Sequence, residues 1–366
     1  MIPIPTTGVS GRHTMKPGIE VRILGADDDA ALRGLASACG NATIYHTPEW
    51  RDAIVATYGY DPRYLGSFDG EDLCAVLPIM FVQSWLTGKR LVSLPFANTC
   101  GPAGRSEHFA ALLDKALGLR AELKARALEI RTQANINPLK DDRFSPVGYF
   151  ITSLVRLASD PKDVWENFKD RNVRTEVRQA AKKGIEVRDG DDLRDLKQFY
   201  ALFAGLRLKH GVPPQPYRFF ENLWTHLWPK YLHLHVATYK GEHVASLVTL
   251  GFGTTLAAAY IGSNPAYRSY RVHQILFWTA MERGCLAGFK MFDFLRTPKA
   301  SQELRYFKDR WNAFEVDLEY LYYPQVCGTA STVEESAKYR LMTRVLSRTP
   351  HGVGKALGRV LYRHLG

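Results

Sequence analysis

At 366 residues, with 46% hydrophobic and 23% charged side chains, the chain has the balance of a globular protein, not a disordered or fibrous one, and is long enough for two domains. Forty-eight Lys and Arg against 37 Asp and Glu leave a formal charge of +11, which favours an anionic partner such as nucleic acid, a phosphorylated substrate or a lipid headgroup surface without choosing among them. Five scattered cysteines without a C-x-x-C pair speak against a zinc site or disulfide framework, no apolar run approaches the roughly 20 residues of a membrane span, and no signal-peptide pattern opens the chain, so a cytoplasmic protein is expected.

Residues 1–18 are rich in Pro, Gly and Thr without periodicity and predict a flexible leader. Residues 20–24 read as a strand, and Asp27, Asp28 and Asp29 open a helix to Cys39, where acids suit the helix dipole. Thr47 and Pro48 then stand as N-cap and first-turn proline of a helix with Trp50, Ile54 and Tyr58 on one face. Two later stretches align: Phe68-Asp69-Gly70-Glu71 and Tyr239-Lys240-Gly241-Glu242 each set a glycine turn between apolar strand-like runs. This is one β-hairpin used twice, each time after a helix with aromatic anchors, and a duplicated α/β domain is the simplest account. The division that follows is a leader at 1–18, a first domain at 19–155, a second at 156–325 and a basic helical extension at 326–366.

Between the hairpins, a strand at 91–96 enters a Gly/Pro loop at 97–104 that holds Asn98; a helix at 106–124, a strand at 127–131, a loop at 134–148 and a strand at 149–155 follow. A helix over 163–183 carries Lys169, Arg171, Arg174, Arg178, Lys182 and Lys183, several of them in one row. Such a row tracks phosphates or is simply solvated. A further helix at 193–210 is stopped by Gly211, Pro213 and Pro214. The small-residue strand 256–263, with Tyr260, leads to a loop where Arg268 and Arg271 sit beside free helix amides, with His273 next: a candidate anion site. A strand at 290–295 completes a β-loop-α-β unit, which implies parallel pairing in a mixed sheet.

Residues 291–295 alternate apolar side chains around Asp293, and a helix at 302–311 is expected to place Leu304, Phe307 and Trp311 on one side. The loop between them gathers Asp293, Arg296, Lys299, Glu303, Arg305, Lys308 and Arg310 within or beside it. Loops at strand ends commonly hold binding groups, although a charged surface turn has the same composition. The end of the chain predicts basic helices at 334–346 and 352–365. In the last, Lys355, Arg359 and Arg363 line one face and Val353, Leu357, Val360 and Leu361 another, a pattern for docking on the second domain or for lying on an anionic membrane.

With these residues in place, the sequence resembles the FemAB-like branch of the GNAT acyltransferases over about residues 40–325. The resemblance rests on Thr47-Pro48-Glu49-Trp50, Leu94-Pro95-Phe96 with Gly101, the basic helix at 174–184, His210-Gly211-Val212-Pro213, and Phe292-Asp293-Phe294 followed by Phe307-Lys308 and Trp311. It implies an α/β (α+β) fold of tandem duplicated GNAT-like domains with mixed sheets flanked by helices. It further implies transfer of an acyl or aminoacyl group to an amine on a cell-envelope polysaccharide or peptidoglycan precursor. Acyl-CoA or aminoacyl-tRNA would be the co-substrate, with no tightly bound cofactor and no metal. Partners would be a small-molecule or lipid-linked sugar acceptor, tRNA, and the inner-membrane surface through the C-terminal basic helix. The sequence departs from the family where Arg268 to His273 lack the usual phosphate-cradling glycines, where Leu295 replaces a glycine after the aromatic-Asp-aromatic strand, and in having no inserted helical arm.

Lys308 and Asp293 are the candidate catalytic residues: Lys308, matching the family's Phe-Lys position, would hold donor or tetrahedral charge, and Asp293 would either take the amine proton, given a pKa raised by strand-end burial, or only anchor the loop. Arg296 and Arg268 would bind phosphate or carboxylate, and Arg271, His273, Phe307, Tyr260 and Asn98 complete the substrate-binding candidates. A reading of another class stays open, a non-catalytic polyanion- or membrane-surface-binding module built on the 169–183 row and the C-terminal helix. No G-x-S-x-G turn points to a nucleophilic hydrolase.

Overall fold

The computed structural model describes residues 18–133, 139, 141–324 and 351–365. All but the last residue of the expected leader, part of the expected loop at 134–148 and the expected helix at 334–346 lie outside them. The first half runs β1 (Ile19–Ile23), α1 (Asp29–Ala38), α2 (Pro48–Tyr58), β2 (Asp61–Pro62), β3 (Leu65–Asp69), β4 (Asp72–Leu77), β5 (Met80–Ser84), β6 (Gly88–Val92), β7 (Ala103–Gly104), α3 (Phe109–Glu122) and β8 (Ala127–Gln133). It closes on β9 (Ser145–Arg156), and α4 (Pro161–Glu166) and α5 (Arg171–Lys182) follow. The second half repeats the order as β10 (Ile185–Gly190), α6 (Leu193–Lys209), α7 (Tyr217–Leu227), β11 (Leu232–Tyr239), β12 (Glu242–Phe252), β13 (Thr255–Ser263), α8 (Val272–Leu286) and β14 (Met291–Asp293). After β15 (Thr297–Pro298) come α9 (Gln302–Asp309), β16 (Phe314–Tyr323) and α10 (His351–Leu365).

Local chemistry explains the element ends. Thr47 Oγ1 accepts the Trp50 amide at 3.3 Å to cap α2, and Gly59, at φ 71°, closes it in the left-handed conformation. The single helix expected over 163–183 is two, because Asp170 caps a fresh start by accepting the Asn172 amide at 2.8 Å while Phe168, in the break, is buried. The hairpins are both present: β11 and β12 turn through Lys240 and Gly241, both at positive φ as a type I′ turn requires, and β3 and β4 turn at Gly70.

Two sheets result, one ordered β1-β3-β4-β7 and a larger one ordered β10-β11-β12-β13-β14-β9-β16-β8-β6-β5-β2, with β15 added to β9. Its parallel pairs are β6 with β8 and β13 with β14, and each is bridged by a crossover helix, α3 or α8. The centre of the sheet is an exchange. β9 follows the first half yet pairs with β14, and β16 follows the second yet pairs with β8. The two exchanged strands pair antiparallel with each other from Phe314 opposite Leu154 to Tyr322 opposite Ser145. Pulling the halves apart would therefore strip ladder hydrogen bonds from both.

The core is shared as well. Trp50, Ile54 and Tyr58 of α2 belong to one buried cluster with Phe219, Phe220 and Leu223 of α7, and Asn222 donates to Thr57 Oγ1 at 2.9 Å across the seam. Separate clusters lie under α3 in the first half and under α5 and α8 in the second. This is the tandem GNAT-like arrangement of mixed sheets flanked by helices, with the two copies interlocked. The C-terminal helix docks on both: Tyr60 of the first half donates to the Tyr362 carbonyl at 2.9 Å, and Arg207 of the second donates to the Tyr362 hydroxyl at 2.9 Å. Its docked face is Gly354, Gly358 and Tyr362, where a Cβ on either glycine would come within 2.4 Å of Leu208 or 2.2 Å of the Pro214 carbonyl. The larger apolar residues Leu357 and Val360, expected on one apolar face, are instead turned to solvent, because the close approach to residues 208–214 admits only glycine.

Candidate active site

The parallel pair β13 and β14 is in register only from Thr255 opposite Met291 to Ala257 opposite Asp293. Beyond that β13 continues to Ser263 while β14 stops, so Asp293 stands where the two strands part. The strand stops two residues short of the expected 295 because Asp293 takes the Leu295 amide on Oδ1 at 2.7 Å and Leu295 turns into the left-handed region at φ 57°. The backbone thus keeps a conformation that suits glycine, at a cost of about 1–2 kcal/mol for the leucine. Asp293 Oδ1 also accepts from the Thr152 hydroxyl of β9. Desolvation pushes the carboxyl pKa above the usual aspartate range, against the pull of these two donors and of Lys308.

Around Asp293 come groups from both halves, of which the Tyr45 phenol feels the Asp293 charge. Asn98, in the loop before β7, donates from Nδ2 to the Tyr45 hydroxyl at 3.2 Å, and its carbonyl accepts from the Tyr320 hydroxyl of β16 at 3.0 Å. Arg296 reaches the same Tyr320 hydroxyl at 3.4 Å, with its guanidinium 4.3 Å from the Phe150 ring. Burial raises the Tyr45 phenol well above the ordinary tyrosine range, and the Asp293 charge adds to the effect. Tyr260 follows an irregularity in the pairing of β12 with β13 and packs on Phe203, Phe219 and Phe220; its phenol is within electrostatic reach of Tyr45. The seam therefore collects Asn98, Tyr260, Asp293 and Arg296 from distant parts of the chain, together with Tyr45, Thr152 and Tyr320, which sequence reasoning missed. Tyr45 lies two residues before the recognised cap at Thr47, and Tyr320 sits in an alternating strand. Nothing local marks either, since their importance comes from contacts well beyond their own elements, Tyr45 with Asn98 and Tyr320 with Asn98 and Arg296.

Lys308 lies below the same loop. Its ammonium donates to the carbonyls of Phe294 at 3.0 Å and Leu295 at 2.7 Å and to Thr297 Oγ1 at 2.5 Å, so all three protons have acceptors in the 294–297 turn. Burial lowers its pKa to about 8, against the attraction of Asp293 and Glu315. In this arrangement Lys308 braces the turn that carries Asp293 and Arg296. Phe307 packs at 5.8 Å from Phe277 of α8 and 6.3 Å from Trp311. Leu304 does not join them: it is 49% exposed, since α9 ends at Asp309 and Trp311 is buried from the turn beyond it.

The other expected cations form a second cluster at the far end of β13. Arg268 and Arg271 are exposed, and Arg271 caps α8 at φ 61°, where a glycine would sit unstrained. Lys183 at the end of α5 donates to the Ser269 carbonyl at 2.6 Å, joining the basic helix to this turn. His273 is hydrogen-bonded to Ser263 Oγ at 2.8 Å, and burial, with Arg268 nearby, lowers its pKa to about 4. It is therefore neutral at pH 7 and offers no charge to a phosphate. From Ala257, level with Asp293, to Ser263 is six residues, or ~20 Å along an extended strand. Part of the basic row has structural partners: Arg174 holds the Trp165 and Glu166 carbonyls, and Lys169 pairs with Asp309. Burial pushes the Cys39, Cys100 and Cys285 thiols upward, so none of these is a ready thiolate nucleophile.

Residues 168–308 match the family model described as acetyltransferase (GNAT) domain. A curated relative, the UDP-N-acetylmuramoylpentapeptide-lysine N(6)-alanyltransferase of Weissella viridescens, is 20% identical over 112 residues, covering 30% of this chain. That match spans about a third of the relative, 33% of its length. Among solved structures, FemX superposes with a TM-score of 0.67 at 15% identity, covering 82% of this chain and 96% of that one. The C-terminal domain of a putative lysylphosphatidylglycerol synthetase from Agrobacterium fabrum gives 0.58 at 14% identity, covering 88% and 96%. Residues 168–308 are therefore similar to an acetyltransferase (GNAT) domain, and the chain as a whole shares the fold of FemX, in line with the FemAB-like motifs of the sequence.

Proposed function

We propose that this chain, a GNAT domain within a FemX-type fold, transfers an acyl or aminoacyl group from acyl-CoA or aminoacyl-tRNA to an amine on a cell-envelope polysaccharide or peptidoglycan precursor. The observation that carries the reading is the seam itself: a desolvated carboxylate at a parting parallel strand pair, with the Tyr45 hydroxyl and Asn98 amide of the first half and the Arg296 guanidinium of the second gathered around it. Asp293 is the general base in this reading. Its raised pKa brings it toward the range in which a base can take a proton from an ammonium or an attacking amine. The amine nitrogen attacks the carbonyl carbon of the donor, the C–S or C–O bond to the carrier breaks, the amine proton goes to Asp293, and the carrier leaves as thiol or hydroxyl after reprotonation.

Arg296, Asn98 and Tyr260 orient the acceptor, while Arg268 and Arg271, ~20 Å along the strand, bind the phosphates of the long-armed donor. Lys308 acts by holding the 294–297 turn in place, and its positive charge lies under the site of developing negative charge. The raised thiols of Cys39, Cys100 and Cys285 support direct transfer over a covalent acyl-enzyme on any of them. The alanyltransferase relative supports an aminoacyl donor and an envelope acceptor.

Incubating the full chain separately with labelled acyl-CoA and with charged tRNA, each with a pool of envelope precursors, and following label into product by mass spectrometry tests the proposal. Label should move from one donor class onto an amine and should not move in Asp293→Asn. Tight, salt-sensitive polyanion binding with no transfer from either donor would leave only the non-catalytic alternative.

A further inference from the structure

At the outer end of α10, apolar side chains stand in solvent that the fold does not use. Trp85 and Leu86, at the tip of the β5–β6 hairpin, are 77% and 50% exposed, and Leu357 and Val360 on α10 are 37% and 51% exposed. These belong to one surface. Trp85 Nε1 donates to His364 Nε2 at 2.8 Å with the rings 5.2 Å apart, and His364 follows Val360 by one helical turn. Thr87 donates to the His364 carbonyl at 3.0 Å, so the hairpin tip is tied to the helix end.

Beside this apolar row is a cavity of about 390 Å³ lined by Arg218, Arg359 and Arg363, with Tyr58 and His364 among its other walls. Among the described residues no ion pair engages these three guanidiniums. The Tyr58 hydroxyl, on a side chain only 4% exposed, is buried with no hydrogen-bond partner, and His364 Nδ1 is in the same position. Three planar forks and an unpartnered hydroxyl donor around one hollow suit a phosphate ester, which supplies only acceptor oxygens. Exposed tryptophan and aliphatic side chains flanked by arginine are the composition of a surface that enters the headgroup region of a bilayer.

We infer that this face docks on an anionic phospholipid bilayer, with Trp85, Leu86, Leu357 and Val360 entering the interface and the arginine cavity seating one lipid phosphate. The surface uses none of the residues assigned to the candidate active site, and the inference rests on and deepens the envelope-precursor reading, since a chain docked on a bilayer meets lipid-linked acceptors there. Charge decides the lipid: a cationic cavity gains from phosphatidylglycerol and little from a zwitterionic headgroup.

The test is flotation of the full chain with vesicles of equimolar phosphatidylglycerol and phosphatidylcholine, or of phosphatidylcholine alone, over a salt series. Binding should require phosphatidylglycerol, weaken steeply with salt, and fall at least tenfold in W85S/L86S and in R218Q/R359Q/R363Q, with cooperative melting retained because α10 still docks through Gly354, Gly358 and Tyr362 and Thr87 still holds the His364 carbonyl. Equal binding to phosphatidylcholine alone, or anionic binding untouched by both variants, overturns the inference. So does release of the bound chain by millimolar inorganic phosphate, which would make the cavity a site for a soluble anion, or a triple variant that loses affinity for tRNA and not for vesicles. Acyl transfer to a soluble acceptor should be equal in wild type and W85S/L86S, so failure of vesicle binding and failure of transfer are separately visible.

Discussion

Replacing Lys308 with methionine separates its structural cost from its contribution to the site. Burial takes its pKa from 10.5 to about 8, and at 1.36 kcal/mol per unit that is roughly 3 kcal/mol against holding the charged form in the folded chain. The unfolded chain keeps its proton up to the higher value. Between pH 8 and 10.5 it therefore binds more protons than the folded chain, and the Lys308 contribution to stability rises with pH through that window. Below pH 8 both states are protonated and the contribution is flat. Lys308→Met removes this dependence and leaves the Phe294 and Leu295 carbonyls and the Thr297 hydroxyl without their donor. Urea unfolding of both proteins in steps from pH 7 to 10.5 should show wild type gaining up to roughly 3 kcal/mol relative to the variant across the window, while transfer activity at pH 7.5 falls at least a hundredfold. A difference curve flat from pH 8 to 10.5 refutes the burial argument, and full activity in the variant refutes the bracing of the turn.

Asp293→Asn should lower kcat by about 10²–10⁴-fold without lowering the melting temperature at pH 7, because the amide oxygen still accepts from Thr152 and Leu295 while the cost of a desolvated charge disappears; a large drop in melting temperature would make the residue an anchor and not a base. Arg271→Gly relieves a left-handed φ of 61° and should stabilise the chain by about 1 kcal/mol while raising the donor KM several-fold, measured by thermal unfolding and initial rates. Gly358→Ala drives a Cβ to within 2.2 Å of the Pro214 carbonyl and should destabilise by about 1–3 kcal/mol, with proteolysis reporting release of α10. With the His273 pKa lowered to about 4, donor KM should show no His273 step between pH 5.5 and 7.5, and His273→Gln should leave that profile unchanged.

Much of the fold was legible in local chemistry. Thr47 and Pro48 marked the start of α2, the glycines at 70 and 241 marked both hairpins, and the repeated order of helix and hairpin exposed the duplication. Signals of this kind act within a few residues and survive any tertiary setting. Helix breaks were less visible: Asp170 restarts a helix only because Phe168 has a core to enter, and the apolar spacing of Leu304 suggested a buried stripe that the short α9 does not have.

The candidate site divides in the same way. Asp293, Arg296 and Lys308 could be singled out because they crowd one strand-end loop, and Asn98 because it lies in a Gly/Pro loop. Their relation to one another could not be read. Which carbonyls the Lys308 ammonium meets, that Tyr45 comes within electrostatic reach of Asp293, and that Tyr320 meets both Asn98 and Arg296, depends on β9 and β16 crossing between the halves. By itself the sequence determined two similar α/β units, basic surfaces and a charged strand-end loop, because periodicity, caps and turns are local. Only the tertiary structure decided that the units exchange strands, share one aromatic core and desolvate a carboxylate between them, since pairing partners more than a hundred residues apart leave no mark on the spacing of neighbours.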